Sequence, residues 1–279
     1  MLDLDDLTMS LAGLRDDPFT CGPGDLERIV QASASAGFRG VSLWSIYAEQ
    51  LADEGYGAKA IARLCSQHGV QVRMVEALTR WATADRAAID DEARALFALS
   101  VEVGAEEVLA VTLDTASLDL DLAARGFAYT CDLAARYGLR VGLEFLPWSS
   151  VPDLRTALDI VERADRDNGG LVIDSWHWQR QPGGPDLDTL RGVRADRVHV
   201  LQLNDAPGQP DGDILDESMN RRLLPGDGDI DLRGLVDAID AIGAEPIVAL
   251  EVFSREIASL DPDQAARLVG DATRRVLAG

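Results

Sequence analysis

Eight short apolar runs alternate with longer amphipathic segments along this 279-residue chain, and this alternation limits the folds open to it. The apolar runs have the length of strands and occupy residues 7–12, 40–44, 70–75, 107–112, 140–144, 171–174, 198–202 and 247–251. Between them, apolar residues recur at helical spacing in residues 25–36, 58–67, 85–103, 122–137, 153–164, 186–192, 232–242 and 262–277. Eight strand–helix units predict an α/β fold, a (β/α)8 TIM barrel that forms a single domain over residues 1–279.

An open, doubly wound parallel sheet is the alternative fold with the same alternation. Such a sheet normally has a glycine-rich first turn, but the residues after the first apolar run read Gly13-Leu-Arg-Asp-Asp-Pro18. The barrel is therefore the preferred prediction. One long segment, residues 204–231, follows the seventh strand with no regular pattern, and we expect it to cover substrate on the catalytic face.

The charge balance excludes several classes of partner. The chain has 26 basic and 48 acidic residues, a net charge of −22, and no basic patch, so nucleic acid is not an expected partner. No apolar stretch approaches the roughly 18 residues of a membrane span, and the first residues lack the pattern of a signal peptide. Together with three scattered cysteines, these features predict a reduced, cytoplasmic protein with no membrane partner. The exposed helix faces leave a homo-oligomer open.

Four of the apolar runs end in a side chain that can bind a hard metal ion. These side chains are Glu144, Asp174, Gln202 and Glu251. The carboxyl ends of parallel strands meet at one end of a barrel, so three carboxylates and an amide are expected to converge there. Such an oxygen-rich site suits one divalent cation such as Mn²⁺ or Mg²⁺.

Each of these residues also has a structural explanation. The alternative role of Glu144 and Glu251 is a buried ion pair with arginine, which we consider the weaker explanation, and that of Gln202 is a hydrogen bond to the backbone. Asp174 suits the cap of a following helix, and His177 suits a buried core imidazole. Because both glutamates follow buried runs, we prefer metal binding, with His177 as a substrate contact or proton carrier.

A second histidine, His199, precedes Gln202 by three residues. Strand alternation places its side chain on the opposite face, toward the helices, and only a bulge would bring it inside the barrel.

Further residues near the strand ends are candidates for substrate binding. Trp44, Trp148 and Trp176 end or closely follow strands and are expected to form pocket walls, although core packing is the usual role of tryptophan. Glu76 follows the third strand and offers a further carboxylate. Arg222 and Arg255 lie in expected loops of the catalytic face, where they would bind a substrate anion or pair with one of the many acids.

Six stretches in chain order resemble the xylose-isomerase-like barrel superfamily, which contains sugar-phosphate isomerases and epimerases. They are Gly37-Phe-Arg-Gly-Val-Ser-Leu-Trp44, Gly142-Leu-Glu-Phe-Leu-Pro147, Asp174-Ser-Trp-His177, Gln202-Leu-Asn-Asp205, Pro225-Gly-Asp-Gly-Asp-Ile-Asp231 and Leu250-Glu-Val-Phe-Ser254. The resemblance implies a metal held by Glu, Asp, His and Glu from the fifth to eighth strands, at Glu144, Asp174, Gln202 and Glu251. The family usually has histidine at the third of these positions, where this chain has Gln202. The 3-dehydroshikimate dehydratases of the superfamily resemble this glutamine-bearing pattern. A neutral oxygen donor favours Mn²⁺, Mg²⁺ or Co²⁺, with Zn²⁺ still compatible.

The leading hypothesis is a divalent-metal-dependent isomerase or epimerase of a keto-sugar, cyclitol or related polyol. Glu144 and Glu251 would transfer a carbon-bound proton through an ene-diolate, with His177 as the alternative proton carrier. A dehydratase of the 3-dehydroshikimate or inosose type, acting on a keto-acid or ketone, is the closest alternative, and a non-catalytic binding subunit is a third. The abasic-site endonucleases of the superfamily bind their metal ions with many histidines. This chain has only three histidines, so an endonuclease function is not expected.

Overall fold

In the computed structural model, which describes residues 2–3, 5–210 and 212–278, eight parallel strands pair in chain order and close into a barrel. The strands are β1 (Leu7–Ser10), β2 (Gly40–Trp44), β3 (Gln71–Leu78), β4 (Glu107–Ala110), β5 (Arg140–Glu144), β6 (Gly169–Asp174), β7 (Val198–Leu203) and β8 (Ile247–Leu250). The eighth strand pairs with the first, with Met9 opposite Leu250. The predicted TIM barrel is confirmed, and the open sheet is excluded.

The helices lie between the strands in sequence and pack around the outside of the barrel. They are α1 (Pro23–Ser35), α2 (Ser45–Asp53), α3 (Ala58–Gln67), α4 (Arg86–Val103), α5 (Leu120–Ala135), α6 (Leu154–Ala164), α7 (Ser175–Arg180), α8 (Leu187–Arg191), α9 (Ile214–Asn220), α10 (Leu232–Ile242), α11 (Arg255–Ala258) and α12 (Pro262–Ala278). None of the helices in the described residues has both the length and the apolarity needed to span a bilayer.

Two local differences from the sequence prediction bear on the catalytic face. The first strand ends at Ser10, and the chain continues as a 3-10 turn over Leu11–Leu14. The segment predicted as irregular, residues 204–231, contains the helix α9. Both changes follow the carboxyl ends of strands, the first after β1 and the second after β7.

Part of the acidic excess of the chain serves the helix ends. Several helices begin after an aspartate whose carboxylate accepts hydrogen bonds from the free N–H groups of the first turn, which also favours negative charge there. Among these aspartates are Asp85, Asp119, Asp153, Asp174, Asp186, Asp213 and Asp231. The acids are therefore a folding feature as well as a surface feature.

Apolar side chains pack in two separate layers. The larger layer fills the space between the strands and the surrounding helices. The smaller layer fills the barrel interior and consists of Met74, Leu109, Val172, Val200, Ile247 and Ala249. This interior layer is a closed floor beneath the carboxyl ends of the strands.

A buried polar cluster lies at the amino ends of the strands. The His199 ring places Nδ1 3.0 Å from Glu107 Oε1, and Arg140 Nε lies 3.0 Å from Glu107 Oε2. The ring occupies space above Gly170, where an added Cβ would come within 2.2 Å of it. Only glycine fits there.

The expected orientation of His199 was wrong, and a β-bulge is the reason. Leu171 pairs with Val198, but the next residue, Val172, pairs with Val200, so His199 is an extra residue in its strand. The bulge turns His199 into the barrel while Val200 keeps its place in the interior layer. The imidazole has a structural contact there and lies outside the predicted metal site.

Candidate metal and substrate site

The predicted polar strand ends meet at the carboxyl-terminal face of the barrel. Glu144 and Asp174 are the last residues of β5 and β6, Gln202 lies in β7 opposite Asp174, and Glu251 directly follows β8. All four side chains are buried. Glu76, from the carboxyl-terminal half of β3, is a fifth buried polar side chain at this face.

His177 joins two of these carboxylates. Oxygen atoms of Glu144 and Asp174 and a ring nitrogen of His177 all lie within 4.8 Å of one another, which is close enough to hold one metal ion. His177 Nε2 is 3.5 Å from Glu144 Oε1. Burial lowers the pKa of His177 to about 3, so the imidazole is neutral and has a free electron pair near neutral pH.

Asp174 fulfils both of the roles that the sequence left open. Its Oδ1 accepts hydrogen bonds from the backbone N–H groups of Trp176 and His177 and so caps α7. Its Oδ2 faces the site, where Asn204 Nδ2 donates at 2.8 Å and Arg222 Nη1 at 2.9 Å. The cap holds the carboxylate in one orientation.

Arg222 lies in a loop of the catalytic face, as expected, and its side chain is buried inside the carboxylate cluster. Its Nη1 is 2.9 Å from Asp174 Oδ2 and 3.3 Å from Glu251 Oε2, and its Nε donates to the carbonyl oxygen of Ser218 at 2.8 Å. Glu251 Oε1 also accepts a hydrogen bond from Ser10 Oγ at 3.3 Å. The guanidinium thus connects the ends of β6 and β8.

The cluster carries more negative than positive charge. Four carboxyl groups are buried here, those of Glu76, Glu144, Asp174 and Glu251, and two of them, Asp174 and Glu251, pair with the guanidinium of Arg222. Burial raises the pKa of Glu144 and of Glu251 well above the usual range, and neighbouring carboxylates add to the rise. Burial likewise raises the pKa of Glu76 to about 7. A bound cation would offset this excess charge.

The side-chain amide of Gln202 also indicates a bound cation, because it is buried without hydrogen-bond partners among the described residues. Its side chain is fully buried, and neither Oε1 nor Nε2 has a hydrogen-bond partner among the described residues. A buried amide without partners costs free energy, so a native protein normally satisfies it with an ion, water or ligand. Carboxylate oxygens, one amide oxygen and a neutral imidazole are a donor set that fits a divalent cation.

A cavity of about 440 Å³ opens above the carboxylates. Glu76, Glu144, Glu251, His177 and Arg222 lie in its lining, and most of the remaining lining is apolar. Two of the three expected tryptophan walls, Trp44 and Trp148, line it as well. Asp174 and Gln202 lie deeper, at the strand ends below.

Two predicted substrate contacts lie elsewhere. Trp176 is fully buried and does not line the cavity, and its ring centroid lies 5.8 Å from Arg180 Cζ and 5.7 Å from Arg222 Cζ. Arg255 is exposed, donates to Asn220 Oδ1 at 3.1 Å and does not line the cavity. Neither position suits contact with a substrate in this cavity.

Sequence reasoning missed three residues of the site, although each left a signal. Asn204 lies in the stretch Gln202-Leu-Asn-Asp205, and Ser10 is a polar end of the first strand, like the four residues that were selected. Phe253 lies in the stretch Leu250-Glu-Val-Phe-Ser254, lines the cavity and contacts Trp44 edge-on with ring centroids 5.6 Å apart. Its role depends on how the chain turns after β8.

A family model described as a xylose isomerase-like TIM barrel matches residues 30–275. The 3-dehydroshikimate dehydratase of Pseudomonas aeruginosa is 30% identical over 240 residues, which are 83% of this chain and 36% of that protein. The inosose isomerase of Bacillus subtilis is 31% identical over 144 residues, which are 51% of this chain and 50% of that protein. This chain therefore spans half or less of the length of these relatives.

Solved structures show the same fold. The crystal structure of the protein IOLI with a bound zinc atom has a TM-score of 0.83 at 22% identity, over 98% of both chains. A D-allulose 3-epimerase from Methylomonas sp., in complex with D-allulose, has a TM-score of 0.76 at 14% identity, over 97% of this chain and 96% of the other.

Proposed function

Because this chain belongs to the xylose isomerase-like TIM-barrel family, we propose that it is a metal-dependent isomerase or epimerase of a keto-sugar, cyclitol or related polyol. The observation that carries the proposal is the cluster of four buried carboxylates around one guanidinium at the bottom of an otherwise apolar cavity. A buried cluster of this kind, with raised pKa values, is typical of a site for proton transfer and cation binding.

Glu144, Asp174, Gln202 and Glu251 would hold one divalent cation, with Mn²⁺, Mg²⁺ or Co²⁺ preferred and Zn²⁺ also compatible. The unpaired amide of Gln202 and the oxygen-rich donor set support this assignment. When bound, such a cation supplies Lewis acidity, which stabilises negative charge on the oxygens of a substrate.

The two glutamates would move the proton. Either Glu144 or Glu251 takes the proton from the carbon next to the substrate carbonyl, leaving an ene-diolate, and the other returns a proton to the opposite face or to the neighbouring carbon. Their raised pKa values support this role, because a carboxylate must be able to hold the proton between the two steps. His177, 3.5 Å from Glu144, is the alternative proton carrier.

A dehydratase is the second candidate, favoured by Gln202 and by the likeness to 3-dehydroshikimate dehydratase. The same base would remove the proton, and the β-hydroxyl would then leave as water with the proton of Glu76, whose raised pKa lets its carboxyl group hold one. His177, which is neutral in this site, would first have to take up a proton to fill that role. A non-catalytic binding subunit, the third candidate, would need neither the proton-transfer groups nor the cation.

The test combines metal analysis with two glutamine variants. We expect elemental analysis to find stoichiometric divalent metal in the purified protein. We also expect the protein to exchange the α-proton of a keto-inositol for deuterium in D₂O, which NMR would detect. E251Q should lose exchange by a factor of about 100 or more, in the range of general acid–base catalysis. E245Q, which changes an exposed glutamate near the opposite end of the same strand, should not.

The outcomes separate the candidates. Ultraviolet absorption of a new conjugated product from 3-dehydroshikimate, without proton exchange into recovered substrate, would favour the dehydratase. Full turnover by metal-loaded E251Q would refute the proton-transfer assignment. Protein that binds no metal after soaking would favour the binding subunit.

A further inference from the structure

We propose that the site accepts an uncharged, ring-shaped hydroxyketone whose far end is hydrocarbon, in preference to a fully hydroxylated sugar or an anion. This inference rests on the proton transfer and cation binding of the proposed function, and it replaces the polyol proposed there with a ketone that is hydroxylated at one end only. It follows from the charges at the bottom of the cavity, the partners of its wall hydroxyls and the side chains at its mouth.

The charge distribution disfavours an anionic substrate. Within the described lining of the cavity, the basic side chains are Arg222 and His177, and each already faces a carboxylate. Arg222 lies between Asp174 and Glu251. A substrate carboxylate or phosphate would find no unengaged cation there, and uncompensated charge of this kind is costly to bury. The four carboxylates formally exceed the guanidinium by three charges, of which a divalent cation would offset two.

The walls offer few partners to the hydroxyl groups of a sugar. Two of the lining hydroxyls are already engaged, since Thr79 Oγ1 donates to Glu92 Oε1 at 2.7 Å and Ser218 Oγ accepts from Arg222 Nη2 at 3.3 Å. Much of the remaining wall is Val111, Leu146, Trp148, Met219 and Phe253. A hydroxyl placed against such a wall loses its hydrogen bonds to water without replacement.

The mouth of the cavity is surrounded by exposed apolar side chains. Six large hydrophobic residues are exposed on the described chain, and four of them line this cavity. They are Phe19 (54% exposed), Ile46 (37%), Leu113 (64%) and Leu215 (47%). These four follow different strands, which are β1, β2, β4 and β7. Exposed apolar surface concentrated around one opening marks a binding site for an apolar group.

The ligand that fits all three observations has two unlike ends. One end carries a ketone and an adjacent hydroxyl, which reach the carboxylates. The other end is an alicyclic or aromatic hydrocarbon that contacts Trp44 and Phe253, whose rings meet edge-on with centroids 5.6 Å apart, and extends to the apolar mouth.

Calorimetry with three probes on Mn²⁺-loaded protein tests the inference. The probes are 2-hydroxyindan-1-one, a keto-inositol and 3-dehydroshikimate, which differ in apolar surface, hydroxyl number and charge. We expect the indanone to bind at least about tenfold more tightly than the other two, because it buries more apolar surface and leaves fewer polar groups unpaired.

A matched pair of variants tests the mouth. L113S should weaken binding of the indanone about three- to tenfold, as expected for the loss of an apolar contact, and weaken binding of the keto-inositol by a smaller factor. L268S makes the same change at an exposed leucine of the outer helix α12 and should alter neither.

The results distinguish this inference from the proposed function. Tighter binding of the keto-inositol or of 3-dehydroshikimate, with metal retained and α-proton exchange intact, would overturn the inference and keep the function. Tight binding of the indanone by protein that holds no metal and exchanges no proton would support the inference and remove the function. A changed molar mass of L113S in light scattering would show that the mouth is an interface between copies, and it would overturn the inference.

Discussion

Replacing Arg222 with methionine removes a buried guanidinium while keeping an apolar stem of similar length. The guanidinium lies 2.9 Å from Asp174 Oδ2 and 3.3 Å from Glu251 Oε2, and both carboxylates are buried. Its loss leaves these carboxylates without their ion pair. We expect R222M to lower the free energy of unfolding of the metal-free protein by about 3–5 kcal/mol, the usual cost of removing one partner of a buried pair.

Metal should recover part of this loss. A ligand that binds only the folded state, present at about 100 times its dissociation constant, stabilises that state by about 2.7 kcal/mol. In R222M, the oxygens of Asp174 and Glu251 no longer contact a competing cation, so Mn²⁺ should bind more tightly and stabilise the variant more than the parent.

Urea unfolding followed by circular dichroism, with chelator and with Mn²⁺, measures both quantities. R222K is the matched control, because it keeps the charge and loses the contacts that Nε and Nη2 make with Ser218. We expect it to be less destabilised than R222M. An R222M protein within about 1 kcal/mol of the parent in chelator, or an equal gain from Mn²⁺ in both, would refute this account of the cluster.

Three further outcomes follow from the structure. Because folding raises the pKa of Glu76 from 4.5 to about 7, the folded state holds a proton that the unfolded state has lost, so this group lowers the stability of the metal-free protein as pH rises from about 4.5 through 7. The lowered pKa of His177 acts in the opposite direction below pH 6.5, so urea midpoints in chelator that stay level or increase between pH 6.5 and pH 8 would contradict this. Q202H should shift the preference between Zn²⁺ and Mn²⁺ toward Zn²⁺ by about tenfold or about 1.4 kcal/mol, measured by competition binding, because imidazole nitrogen is the softer donor. H199A should cost about 2–4 kcal/mol of unfolding free energy, since it opens a cavity beside buried Glu107, and metal affinity should remain that of the parent.

The features predicted correctly from sequence are those set by local pattern. An apolar run that ends in a carboxylate predicts a buried strand with a functional residue at its carboxyl end. Glu144 and Asp174 were selected in this way, and each is the last residue of its strand. Helices with clear periodicity and a terminal glycine were located closely, and Leu232–Ile242 has the predicted bounds.

The features missed depend on tertiary structure. The orientation of His199 requires the bulge against β6, which period-two alternation cannot reveal. The burial of Arg222 depends on the path of the long loop and on α9, a seven-residue helix without a periodic signal. The helix α2 begins directly after Trp44, with no breaking residue to separate it from the strand.

The bulge at His199 also predicts where this strand tolerates insertions and deletions. Gln202 faces Asp174 because the β-bulge before Val200 accommodates one extra residue, His199. Deleting His199 would remove that surplus and leave the pairing of Val200 and Gln202 unchanged. Deleting Leu201, only two positions away, would turn the amide toward the helices and bring a leucine beside Asp174. In descendants of this chain, insertions and deletions should therefore accumulate at the amino-terminal end of β7 and be absent from its carboxyl-terminal half.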